Sequence, residues 1–262
     1  MPTDARAVVL APDAYPLVAA RFASDTPNAA MLESLLEGRT PGEILVDRAD
    51  APTHALAVMG YHRIAFASVN APPEFLSRAI EGRAPVLLAT TEPVHGDALP
   101  RIELARLAEH PPPARPLPPG CALRPMDAAL MDACRWRHEA VAACGSVERF
   151  LSVGFGLVIT EGDAIVAEGY ACFIGGGRAE LGVTTHPDHR GRGLAVIVCA
   201  ALLDRCAARG LAPTWSCNAD HAASLAVARA IGFEGARPYA FVTLKERLPA
   251  TQPERVTDAL AV

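Results

Sequence analysis

Apolar residues recur along the chain at two periods, and the switches between them lay out its elements. At 29–37, Met31, Leu32, Leu35 and Leu36 fall on one side of a helix. Thr26 is its expected N-cap, Pro27 its first helical residue and Gly38 its stop. Apolar runs at 43–47, 55–59 and 64–69 read as strands, with a turn marked by Asp50 and Pro52. Pro72-Pro73 opens a helix over 74–80 that ends at Gly82; a strand at 86–90 and a helix at 98–109 complete this half.

Residues 111–119, PPPARPLPP, interrupt the pattern. Proline fixes φ and removes a donor, so this stretch is expected to be a stiff, extended linker. It divides the chain into an N-terminal α/β subdomain (1–110), a main domain (120–247) and a tail (248–262). After the linker come a short strand at 122–124 and a helix from Met126-Asp127 to about residue 142. Trp136, Arg137 and His138 ride on that helix, either as a wall of a substrate cleft or as a core Trp beside solvated neighbours. Runs at 155–160 and 164–174 alternate as strands around the hairpin signal Glu161-Gly162-Asp163. Gly175-Gly176-Gly177 then turns the chain into a strand at 181–185. Because this glycine triplet joins two strands, it is no dinucleotide loop, which would open onto a helix. A helix at 194–209 stops at Gly210, and a strand at 213–217 leads into a last helix ending at Ile231, before Gly232 and Phe233.

The chemistry concentrates in ELGVTTHPDHRGRGLA, residues 180–195. Here a strand meets a basic turn, Arg190-Gly191-Arg192-Gly193, and a helix beginning at Leu194 and Ala195. Arg190, Gly193 and Ala195 fit the spacing [QR]-x-x-G-x-[GA]. Small residues let an anion reach the backbone, the first N–H groups of the helix have no intrahelical partner, and the dipole favours negative charge there. Arg190 and Arg192 add charge-assisted donors. The expected ligand is a diphosphate; the alternative is a helix-capping loop with solvated arginines.

The order strand, basic turn, helix, strand, helix, together with the strings FLSVGFG, AELGVTTHPDHRGRGLA and PTWSCNADHAASLAVARAIGF, resembles the GNAT N-acyltransferase superfamily. The resemblance is strong over about 120–245 and fainter before. It implies an α/β fold (α+β) with a mixed central sheet flanked by helices and a smaller N-terminal subdomain, itself similar to the front half of a GNAT fold but without a cofactor turn. It implies acetyl-CoA as cosubstrate, with its diphosphate at the turn. Backbone groups of Val183, Thr184 and Thr185 would meet the pantetheine arm, and His221 and Ser224 would make further cofactor contacts. Glu180, about ten residues before the turn, stands where many members carry a general base; a strand-end carboxylate paired with Arg178 is the competing reading. Two positions depart from the superfamily pattern. The usual tyrosine of the last helix is replaced by Ala228, and the usual asparagine by His221.

Charge and cysteine content narrow the classes that remain. The net charge of −5 argues against general nucleic-acid binding. No apolar run approaches a membrane span, and MPTDARAVVLAPD lacks the layout of a secretory signal. Seven cysteines without a C-x-x-C pair suggest a reduced, cytoplasmic protein, in which Cys199 and Cys206 serve as small core residues and Cys217 as inert packing. His186 and His189 flank the turn without further ligands, so no metal is expected. The expected activity is acetyl transfer to a primary amine of a small molecule, a metabolite or an antibiotic. The alternative is a catalytically silent acyl-CoA-binding module, and a homodimer stays open.

Overall fold

A computed structural model of the protein describes residues 6–92, 97–106 and 115–245. The first half carries strands β1 (Val8–Val9), β2 (Gly42–Val46), β3 (Ala55–Met59), β4 (Ile64–Ala67), β5 (Val86–Thr90) and β6 (Ala98–Arg106). Its helices are α1 (Pro16–Ala19), α2 (Ala29–Leu36) and α3 (Pro73–Ile80). The second half carries β7 (Cys121–Pro125), β8 (Phe155–Glu161), β9 (Ala164–Gly175), β10 (Arg178–Thr185), β11 (Ala212–Asn218) and β12 (Phe233–Leu244). With them run α4 (Ala128–Ala133), α5 (Arg137–Cys144), α6 (Val147–Val153), α7 (Leu194–Ala208) and α8 (Ala222–Ala230).

All the described strands join one 12-stranded sheet in the order β1-β2-β3-β4-β5-β12-β6-β11-β10-β9-β8-β7. Only β4–β5 and β10–β11 pair in parallel, so this is the mixed sheet with flanking helices expected from the sequence. On one face, Met31, Leu32 and Leu35 of α2 share a core with Phe150 of α6, Phe173 of β9 and Phe241 of β12. On the other, α7 buries Leu194, Val198, Cys199, Leu202 and Cys206 against Leu104, Trp215 and Phe233. The two α7 cysteines are therefore core residues, as expected, and burial pushes the Cys206 thiol up to about 11.

Two expected helices are corrected by the structure. Residues 98–106 form a strand, not the start of a helix; 107–109 lie outside the described residues. In β6 the side chains alternate, Ile102 and Leu104 toward the α7 core and Arg101 and Glu103 toward polar partners. Pairing with β12 on one side and β11 on the other overrides the helix propensity of Ala, Leu, Glu and Arg. The helix expected from Met126-Asp127 to residue 142 starts as predicted, with Asp127 accepting from the Leu130 N–H at 2.8 Å. It then breaks into α4 and α5. The buried Glu168 carboxylate on β9 accepts the N–H groups of Arg135 (2.7 Å) and Trp136 (3.2 Å), which stabilises the turn between them. A smaller correction concerns α2: its N-cap is Asn28 at φ 55, while the Thr26 hydroxyl donates to the Ala23 carbonyl. Of the proline-rich stretch, 115–119 form no regular element, and 111–114 and the tail at 248–262 lie outside the described residues.

Candidate active site

The site begins where two neighbouring strands part. β10 and β11 pair only over Arg178–Glu180 and Ala212–Thr214, although β10 continues to Thr185 and β11 to Asn218. Beyond that point each strand keeps its outer partner, β9 or β6, and the inner edges are free of one another. A β-bulge in the β9 pairing falls between Glu180 and Leu181, the kind of irregularity that re-aims a strand beside a functional site. The parting opens a cleft of ≈ 1090 Å³.

Val183, Thr184 and Thr185 line the β10 side of the cleft, and Arg190, Gly191, Gly193, Leu194 and Ala195 line its end. Gly191 and Gly193 both sit at φ 76, a left-handed conformation that favours glycine. A Cβ on Gly193 would also lie 3.0 Å from the Arg115 guanidinium. No side chain caps α7, so its first N–H groups remain available to an anion. His221 and Ser224 line the opposite wall, where the Ser224 hydroxyl accepts from Trp215 Nε1 at 3.1 Å. The side chain of Arg192 goes elsewhere. Its Nη1 and Nη2 clasp both Glu161 oxygens at 3.1 and 2.7 Å, and this pairing holds the Glu161 carboxyl below its usual range.

Glu180 sits at the fork. Its carboxylate accepts from the Thr214 and Ser216 hydroxyls, the latter at 2.7 Å, rather than pairing with Arg178. Burial raises its pKa; the two hydroxyls and Arg101 oppose the rise, and Glu103 adds to it. Arg101 on β6 ties the surroundings together, with Nη1 to Asn218 Oδ1 (2.6 Å), Nη2 to Ser216 Oγ (3.4 Å) and Nε to the Tyr239 hydroxyl (3.2 Å).

The family model described as GNAT acetyltransferase matches residues 105–242. The chain belongs to this family. A GCN5-related N-acetyltransferase-like protein from Streptococcus suis 89/1591 is similar at 26% identity and TM-score 0.65, over 87% of this chain and 98% of that one. A putative GNAT-family acetyltransferase from Novosphingobium aromaticivorans DSM 12444 shares the fold at 19% identity and TM-score 0.61, over 86% and 98%. An uncharacterized N-acetyltransferase, YdfB, of Bacillus subtilis (strain 168) is 35% identical over 94 residues. That match spans 36% of each chain, about a third of the relative's length.

Within this GNAT chain, the position expected to hold an acidic tyrosine is filled by the buried methyl of Ala228. The tyrosines that line the cleft are Tyr61 and Tyr170. Tyr61 comes from the β3–β4 turn, and Asn28, Met31, Ile64 and Arg101 also reach the cleft from the first half. Sequence reasoning found none of these five. The one available signal was the Arg101–Glu103 alternation, masked by a helical composition. Trp136, expected as wall or core, is both: it lines the cleft and stacks edge-on against Tyr170 at 5.0 Å. Cys217 also lines the cleft, but burial pushes its thiol pKa up, which disfavours a nucleophilic thiolate. Among the described residues no cluster of metal-ligating side chains occurs, and no helix is long and apolar enough to cross a membrane.

Proposed function

We propose that the chain transfers an acetyl group from acetyl-CoA to a primary amine of a small molecule by direct attack. The observation that carries this reading is the position of Glu180, recessed at the fork of β10 and β11 in the same cleft as the uncapped start of α7. Acetyl-CoA supplies an activated acyl group on a thiol leaving group. The N–H groups at Gly193, Leu194 and Ala195 would hold its diphosphate, with Arg190 beside them, and the free inner edge at Val183, Thr184 and Thr185 would take the amides of its arm.

An amine of pKa about 10.4 is neutral in only about one molecule in a few thousand at pH 7, a deficit of roughly 4–5 kcal/mol. Glu180 answers that deficit. Its raised pKa brings it nearer the operating pH, where a general base is most effective. The amine nitrogen then bonds to the acyl carbon as the carbon–sulfur bond breaks, and the amine proton passes to Glu180. A free thiol has a pKa near 8.5, so its thiolate leaves without a dedicated acid, consistent with an alanine at residue 228. The raised Cys217 pKa supports direct transfer over an acyl-cysteine. Thiol release measured across an amine panel tests the reading. Release with at least one primary amine supports it; tight acetyl-CoA binding with no release from any amine would favour a silent binding module.

A further inference from the structure

Tyr61, Trp136, Tyr170, Phe173 and Phe241 give the cleft an aromatic wall. In a chain with only two Trp, four Tyr and eight Phe, that concentration sets the chemistry of this wall. The rings pack edge to face: Trp136 on Tyr170 at 5.0 Å, Tyr61 on Phe173 at 5.2 Å. Two of them reach β10 itself. A Cβ on Gly182, two residues beyond Glu180, would lie 3.0 Å from Tyr170 and 3.1 Å from Trp136. Among the described residues, two buried polar atoms of the cleft lining lack a partner: Asn28 Oδ1, on a residue 2% exposed, and the Tyr170 hydroxyl, on one 7% exposed. Both residues line the cleft.

We propose that the acceptor is a hydroxylated arylalkyl primary amine, its ring against Trp136 and Tyr170, its hydroxyl meeting Asn28 and Tyr170, and its nitrogen at Glu180. This inference rests on the acetyl-transfer reading of the same site. Aromatic walls favour a planar ring through offset and edge-to-face contacts. A buried amide oxygen and a buried phenol left unpaired are costly. A ligand hydroxyl carries what each lacks, a donor for the Asn28 amide oxygen and an acceptor for the Tyr170 phenol.

The test compares tyramine, 2-phenylethylamine and 2-cyclohexylethylamine as acceptors with acetyl-CoA, in wild type and Tyr170→Phe. Tyramine should lead 2-phenylethylamine in kcat/KM by roughly tenfold or more, as expected where a site is built to bond a hydroxyl, with 2-cyclohexylethylamine last. Tyr170→Phe removes an unpartnered hydroxyl and nothing else, so its melting temperature should not fall, while the tyramine preference should collapse. Equal rates for the three amines, or an unchanged tyramine preference in Tyr170→Phe, would overturn the inference. Saturable quenching of Trp fluorescence by tyramine, lost in Trp136→Phe, reads binding without turnover. Quenching with no acetylation of any amine would sink the transfer reading and keep the acceptor class. Acetylation of other amines, with neither quenching nor turnover for tyramine, would sink the acceptor class alone.

Discussion

Glu180 is held by two hydroxyls in a recess that raises its pKa, and that one fact predicts both activity and stability. Glu180→Gln should keep acetyl-CoA affinity, because the carboxylate stands apart from the turn, and lower turnover by roughly 10²–10⁴. The loss should shrink as the pH nears the amine pKa, where solvent supplies neutral amine; a uniform loss across pH would mean a structural role. The stability effect has the opposite sign. The folded protein holds the Glu180 proton to higher pH than the unfolded chain does, so ionisation destabilises the fold as pH rises above the usual glutamate value of 4.5. Glu180→Gln should therefore melt higher than wild type at neutral pH, and the gain should vanish below about pH 4.5. Thermal melts at both ends of that range measure it. At the turn, Gly193→Val should weaken acetyl-CoA binding far more than Arg192→Ala. Valine meets both a left-handed backbone and the Arg115 guanidinium, whereas the Arg192 side chain is spent on Glu161. Calorimetric titration with acetyl-CoA decides between them. The glycines were legible from sequence because the turn is local. The direction of Arg192 was not, since its partner lies 31 residues away.

The same division between local and long-range holds for elements. Helices α2, α3, α7 and α8 and most strands were legible because each carries its own period and stop. Helix α6 and strand β12 went unread, and two readings failed: β6 and the break between α4 and α5. In both, a partner distant in sequence decides: β11 and β12 for the strand, the Glu168 carboxylate for the break. Another such contact sets the position of α2. A Cβ on Gly175 of β9 would lie 2.2 Å from Ser34 N and 2.4 Å from Glu33 C, backbone atoms that cannot move aside without moving the helix. Gly175→Ala should thus destabilise the protein toward the upper end of the roughly 1–3 kcal/mol usual for overpacking. Because α2 starts beside Asn28 and Met31 in the cleft wall, the KM for the amine should rise while acetyl-CoA affinity holds. Denaturant melts and steady-state kinetics on the variant check the two arms separately; an unchanged Cm would show that α2 relaxes without cost.

At the scale of the whole molecule, the halves on either side of the proline-rich stretch share one sheet. β6 of the first half lies between β12 and β11 of the second, with backbone pairing along both edges. Side chains cross as well: Arg149 donates to the Gly38 and Arg39 carbonyls, and His62 Nε2 meets Glu139 at 3.2 Å. This interleaving was not legible beforehand, since hydrophobic periodicity reports that a segment is a strand and not which strands it joins. Residues 120–262 expressed alone would lack β6 and leave β11 and β12 with no strand between them. Open edges and uncovered apolar faces promote association, so the fragment should be poorly soluble. Its cleft would also lack Asn28, Tyr61 and Arg101. Supplying residues 1–119 as a separate chain in the same cells should restore solubility, because the missing strand can pair from either chain. Acetyl-CoA-dependent thiol release should return with it. A monodisperse fragment of 120–262 that turns over amine at the full-length rate would show that β6 and the first-half wall are dispensable.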